Sequence, residues 1–313
     1  MKFISNILLA VLVLSLFSCV KDPFADFEEG GWNNERSVLN IKFENQVGEA
    51  EIVRIDESTG VIELTINVDA VPDLSQIKVS SLQLSYGATG SVGIGDALNF
   101  ENGDQSASMT VTSPTGKSRV YTITVDSFQE SILGTYKVSN LIVYGGTGPE
   151  YGGGAVLAMT DKPWIWPETG GPQAELDNSF TLELTGITED GNTYGTIVND
   201  AGADGLYADF SFVLDPPTDI NHFYRKVPAG AGEWLRNYAT GTITFTFADG
   251  TTTSGSFIET NTTEDLGNGL SKTTTGHAFA FNLNGTDDWD KIYSDYDKFV
   301  KKPRRFWIDL EKQ

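Results

Sequence analysis

The sequence predicts an all-β chain built of two units. Apolar residues alternate with polar ones along most of its length, turn chemistry recurs between the alternating runs, and only one stretch repeats at helical spacing. Of the 313 residues 39% are apolar and 20% charged, which excludes a disordered chain. The 33 glycines and 11 prolines supply frequent turns.

Residues 1–18 join Lys2 to an apolar run from Ile7 to Phe17 and end on the small residue Ser18, the pattern of a secretory signal. That run is too short for a transmembrane helix of about 20 residues. Cys19 follows as the sole cysteine, so it has no internal disulfide partner. Residues 19–36 are polar, acidic and without periodicity, which predicts a flexible tether.

Over 37–127 the period is two. Leu39, Ile41 and Phe43 alternate with polar residues, as do Ile62, Leu64, Ile66 and Val68, then Ile77 and Val79, then Leu82, Leu84 and Tyr86. Met109 and Val111, then Tyr121, Ile123 and Val125, complete the series. Asp56 to Gly60, Pro72-Asp73 and Ser113 to Gly116 are turns between these runs. About seven strands in about 90 residues predict an N-terminal immunoglobulin-like β-sandwich, held by packing alone.

Over 132–313 the alternation resumes at Tyr136 and Val138 and returns at Phe180 to Leu184, Tyr194 to Val198 and Phe210 to Leu214. Ile243, Phe245 and Phe247 lead through Ala248-Asp249-Gly250 to Phe257, and Asp-Gly between alternating runs is a strong hairpin signal. His277, Phe279, Phe281 and Leu283 alternate again. About eight strands in one unit predict a larger antiparallel β-sandwich (jelly roll) or barrel. Trp289, Ile292, Tyr293, Tyr296, Phe299 and Val300 share one face of a helix. With Thr286 as N-cap, lysines at the far end and Pro303 as stop, they predict one late α-helix with that face in the core. A final strand covers Arg305 to Leu310.

Two resemblances extend this reading. Leu16-Phe17-Ser18-Cys19 resembles the lipobox of bacterial lipoproteins, which implies cleavage before Cys19 and lipidation of that residue. Several acyl chains make such an anchor stable. Ile41-Lys-Phe43, VIELTINV, LQLSYGATGSV and TSPTGKSRVYTITV resemble the immunoglobulin-like modules of Bacteroidetes surface glycan-binding lipoproteins, which accompany starch-utilisation-type (Sus-like) import systems. That resemblance implies a spacer module at 37–127, a glycan-binding domain at 132–313 and an outer-membrane glycan import complex as partner. It also implies lipid anchoring in the outer membrane, facing the cell surface. Lys21-Asp22 and the acids after it are similar to that phylum's surface-export signal but lack its fuller acidic run.

Composition narrows the chemistry. Asp and Glu number 43 against 21 Lys and Arg, a net charge of −22, which excludes a sequence-independent grip on nucleic acid. It also disfavours anionic polysaccharides unless a local basic patch or calcium bridges them, and so points to a neutral glucan-type ligand. The two histidines, His222 and His277, share no ligand spacing, and no metal or other cofactor is expected. Asn199, Asp200 and Asp204 could hold calcium through oxygen, but a plain acidic turn accounts for them and the EF-hand spacing is absent. No nucleophile elbow or phosphate loop occurs, so no catalytic residue is expected. Glycoside hydrolysis needs two carboxylates and any pair of the 43 acids could be proposed; Glu168, Glu175 and Glu233, read as loop residues, are the least implausible, and they read as solvated charges.

The aromatic loops carry the binding expectation. Pro163-Trp164-Ile165-Trp166-Pro167 sits in a long loop, and an extended chain would turn both indoles to one side. Tyr224 and Trp234 mark a second loop, and Tyr144 and Tyr151 a third, amid glycines that would leave room for a ligand. Sugar rings present an axial C–H face that stacks on an aromatic ring. The six expected platforms are Trp164, Trp166, Trp234, Tyr224, Tyr144 and Tyr151. The function expected is non-catalytic polysaccharide binding at the cell surface. A structural or adhesive lipoprotein that binds another protein, a glycoside hydrolase and a lipocalin-like carrier are the alternatives.

Overall fold

The computed structural model describes residues 32–68 and 73–313. The signal, Cys19 and most of the tether lie outside the described residues. Two compact units are separated near Ser127 and Phe128.

The first unit is a β-sandwich. Its strands are β1 (Val38–Phe43), β2 (Gln46–Arg54), β3 (Thr59–Asn67), β4 (Ile77–Leu84), β5 (Thr89–Gly90), β6 (Ala97–Leu98), β7 (Ser106–Thr112) and β8 (Ser118–Phe128). One sheet runs β1-β4-β6 and the other β2-β3-β8-β7-β5. Because side chains alternate across a strand, Ile41, Ile62, Leu64, Val79, Val111, Tyr121 and Ile123 all reach one core. Tyr121 is buried among them, and its hydroxyl accepts the Val38 N–H at 3.2 Å.

The second unit is a closed barrel. Its strands are β9 (Gly134–Gly145), β10 (Ala155–Ala158), β11 (Ser179–Ile187), β12 (Thr193–Asp200), β13 (Ser211–Phe212), β14 (Thr218–Asp219) and β15 (Gly230–Asn237). Then come β16 (Thr242–Thr246), β17 (Thr252–Ile258), β18 (Thr262–Gly267), β19 (Leu270–Thr274), β20 (His277–Asn282) and β21 (Pro303–Lys312). The order β9-β11-β12-β15-β16-β17-β20-β21 closes through an antiparallel β21–β9 pairing. This is an up-and-down barrel, so the jelly-roll alternative falls away. The Asp249-Gly250 hairpin joins β16 to β17 as expected, with Gly250 at φ 82°.

Hydrophobic alternation fills the barrel. Tyr136, Val138, Phe180, Leu182, Ile197, Trp234, Phe245, Phe279, Phe281 and Phe306 point inward and form one cluster. A smaller cluster lies apart from it, where Leu266 and Leu270 of the β18–β19 hairpin cover Ile142, Tyr144, Ala278, Ala280 and Trp307. That hairpin is fastened by Glu264 to Arg305 at 2.6 Å and by Lys272 to Asp309 at 3.0 Å.

Strand direction sorts the connections. Four long ones, 146–154, 159–178, 201–229 and 283–302, gather at one end, here called the mouth, while 259–276, which carries the β18–β19 hairpin, leaves from the opposite end. The turns 188–192 and 238–241 lie at the opposite base.

The late helix does not form as predicted. Trp289–Lys291 is a short 3₁₀ turn and Asp297–Lys301 a π-helix. Asp297, Lys298, Phe299 and Val300 are buried in succession, which one inward stripe of a straight α-helix cannot accomplish. The cause is Asp297, whose carboxylate is drawn inward to accept from Thr147 N–H at 2.7 Å and Thr147 hydroxyl at 2.8 Å. The phase shift leaves Trp289 and Tyr293 outside.

Candidate functional site

The candidate ring platforms, with Trp289 and Tyr293, are of two kinds. Trp164 (57% exposed), Tyr151 (65%), Trp289 (57%) and Tyr293 (69%) face solvent. Trp166 (3%), Trp234 (1%), Tyr224 (1%) and Tyr144 (7%) are buried. Of the six expected platforms, therefore, only Trp164 and Tyr151 present a ring face.

Each buried residue has a local reason. Pro163 opens a 3₁₀ turn over Pro163–Ile165, so the chain is not extended and the two indoles diverge. Trp166 instead plugs the mouth: its indole N–H donates to Met159 O at 2.9 Å and its ring meets Phe299 edge-on at 5.5 Å. Tyr224 ends the short helix α1 (Asn221–Tyr224), and its hydroxyl donates to Phe299 O at 2.7 Å. Burial raises its pKa well above the usual tyrosine value. Trp234 and Glu233 lie on β15 rather than in a loop, with the Trp234 indole donating to Thr196 O at 3.0 Å. Tyr144 packs beneath the β18–β19 hairpin.

The glycine-rich connection 146–154 leaves no room for a ligand between its own turns. A Cβ at Gly153 would lie 1.9 Å from Thr147 O, and one at Gly148 (φ 56°) 2.9 Å from the Trp289 ring. Glycine is used here for close packing. The rings this permits form a cluster. Tyr151 and Trp289 meet at 5.9 Å between centroids, and the Tyr293 hydroxyl donates to Tyr151 O at 3.4 Å. Beneath them Thr147 and Asp297 tie the two connections together, and the Asp288 N–H donates to the Thr147 hydroxyl at 2.7 Å. Trp164 stands on another connection, linked to this one by Lys162, whose ammonium lies 5.2 Å from the Trp164 ring and 3.1 Å from Asp295.

Trp289 and Tyr293 were missed because their spacing fits a helical face.

The acids behave differently from one another. Glu175, expected in a loop as a solvated charge, is buried. Its carboxylate accepts from Arg225 at 2.6 Å, Ala208 N at 2.9 Å and Asn178 Nδ2 at 2.9 Å. Glu168 and Glu233 are exposed. Asp200 and Asp204 accept the N–H groups of Gly202 (2.9 Å) and Leu206 (2.7 Å) and close local turns. Among the described residues no group of three His, Cys, Asp or Glu is placed to hold a metal. Against expectation for a carrier barrel, the interior cavity beside Glu175, Asn199, Phe210 and Arg225 measures about 10 Å³, room for about one water. Among the described residues no helix is long and apolar enough to cross a membrane.

No protein-family model matches the chain, and no curated protein matches it. Among solved structures it is similar to a Bacteroides fragilis protein assigned as secreted, at 13% identity. That likeness covers 31% of this chain and 98% of the other, with a TM-score of 0.22.

Proposed function

We propose that the chain is a non-catalytic surface lipoprotein that holds polysaccharide at the barrel mouth for a glycan import system. The observation that carries this reading is the cluster of Tyr151, Trp289 and Tyr293, with Trp164 exposed on a neighbouring connection. These are large rings left in water on connections that are otherwise firmly packed. Exposed aromatic patches mark interaction sites, and a preformed one loses little entropy on binding. Several rings on neighbouring connections suit a chain of sugar residues. The barrel wall holds them fixed, and the sandwich of the first unit serves as spacer from a membrane anchored through Cys19.

Affinity electrophoresis against a polysaccharide panel tests this. The wild-type chain is expected to be retarded by at least one glycan and to release no new reducing ends from it. Base–aromatic stacking sets the scale at about 1–3 kcal/mol per ring. Trp164→Ala or Trp289→Ala should therefore weaken retention by about 5- to 150-fold. Because both rings are exposed, the thermal midpoint should stay where it was. Wild-type retention in both variants, with folding intact, would remove the cluster as the site.

A further inference from the structure

Beside the exposed rings the mouth carries a groove of about 300 Å³, at the small end of ligand pockets. It runs between α1 and the 283–302 connection, with Phe223, Tyr296, His222, Lys301, Asn284 and Thr286 on its walls. None of its lining residues is Asp or Glu. In a chain of net charge −22 that is a local reversal.

Two ammonium groups stand on the Tyr296 ring, Lys291 at 4.7 Å and Lys301 at 5.8 Å from its centroid. The side chains are exposed and form no ion pair among the described residues. Of the nearby acids, Asp287 pairs with Lys302 at 3.2 Å and Arg304 at 3.5 Å, and Asp219, Asp288 and Asp290 do not line the groove. A cation over a ring keeps its N–H donors available while its flexible stem is restrained. Little ordering entropy then remains to be lost when an anion arrives. Phe223, half-buried with the His222 ring tilted against it at 4.1 Å, adds an apolar wall.

We infer that this groove receives the anionic substituent of an acidic sugar, a carboxylate or a sulfate, so that the glycan held at the mouth is an acidic polysaccharide rather than a neutral glucan. The inference rests on the glycan-binding reading and specifies its substrate class. Lys291 and Lys301 would take the anion, Asn284 and Thr286 the hydroxyls, and the Tyr151–Trp289–Tyr293 rings the adjoining residues.

The test is affinity electrophoresis of the full chain in gels holding polygalacturonate, dextran sulfate, dextran or polyglutamate. Retention is expected on polygalacturonate if the anion is a carboxylate and on dextran sulfate if it is a sulfate. The double variant Lys291→Gln/Lys301→Gln should weaken that retention about tenfold, while Lys291→Arg/Lys301→Arg keeps it. Both positions are exposed, so an unchanged melting curve certifies the fold. Retention on dextran alone, indifferent to the lysines, overturns the acidic-sugar assignment and leaves glycan binding standing. Equal retention on polyglutamate overturns it too, since the groove would then read charge without sugar. No retention on any of the three glycans overturns the acidic-sugar assignment, and the wider polysaccharide panel then decides the glycan-binding reading by itself.

Discussion

Trp166→Ala is expected to destabilise the barrel by about 3–5 kcal/mol, as truncating a buried tryptophan does. The indole fills the mouth between Tyr224 and Phe299, and its N–H satisfies the Met159 carbonyl. Truncation leaves a void that the surrounding rings close only in part, and it orphans an acceptor worth about 1 kcal/mol. For a unit of this size the midpoint should fall by about 6–20 °C, read from the thermal transition of the barrel. Trp164→Ala, two residues earlier and facing water, should leave that transition in place. Equal midpoints for the two variants would show that Trp166 is no plug.

The second large effect lies at the base. The Glu130 carboxylate is fully buried and accepts from Arg236 at 2.5 Å, Thr193 Oγ1 at 2.5 Å and the Tyr238 hydroxyl. Burial, reinforced by the bond to Glu130, raises the pKa of Tyr238 and keeps it a donor. Glu130→Ala leaves the Arg236 guanidinium without its counter-charge in a site only 20% open to water, at a cost of about 3–5 kcal/mol. The urea midpoint reads this. Arg236→Ala made in the Glu130→Ala background should recover part of the loss, because the stranded charge goes with it. Purely additive losses would mean that the two groups are not coupled. The network sits at the base, so chains that remain folded should bind glycan as before.

How much of this was legible in the sequence depends on the element. Alternation located most of the barrel and sandwich strands, because period two follows from the pleat itself. Asp249-Gly250 announced its hairpin because few residue pairs take that turn. Alternation could not distinguish a jelly roll from an up-and-down barrel, since both bury every second residue; the β21–β9 pairing that closes the barrel joins strands more than a hundred residues apart. The mouth was legible only as a collection of aromatic loops. Whether a ring there faces water depends on the turn beneath it. Pro163 was compatible with an extended chain and with a 3₁₀ turn, and the second sends Trp166 inward. Trp289 carried a helical spacing that the buried Asp297 breaks from a distance, through Thr147 on another connection. The acidic composition described the surface as a whole and concealed a groove whose walls carry Lys301 and no carboxylate.

The indole N–H resonances of the six tryptophans, followed by NMR while glycan is added, test the central claim most directly. If exposed rings at the mouth hold the sugar, the signals of Trp164 and Trp289 shift with added ligand. Those of Trp166, Trp234 and Trp307, buried in the barrel and beneath its hairpin, stay in place. Shifts confined to the buried three, with Trp164 and Trp289 still, would contradict it.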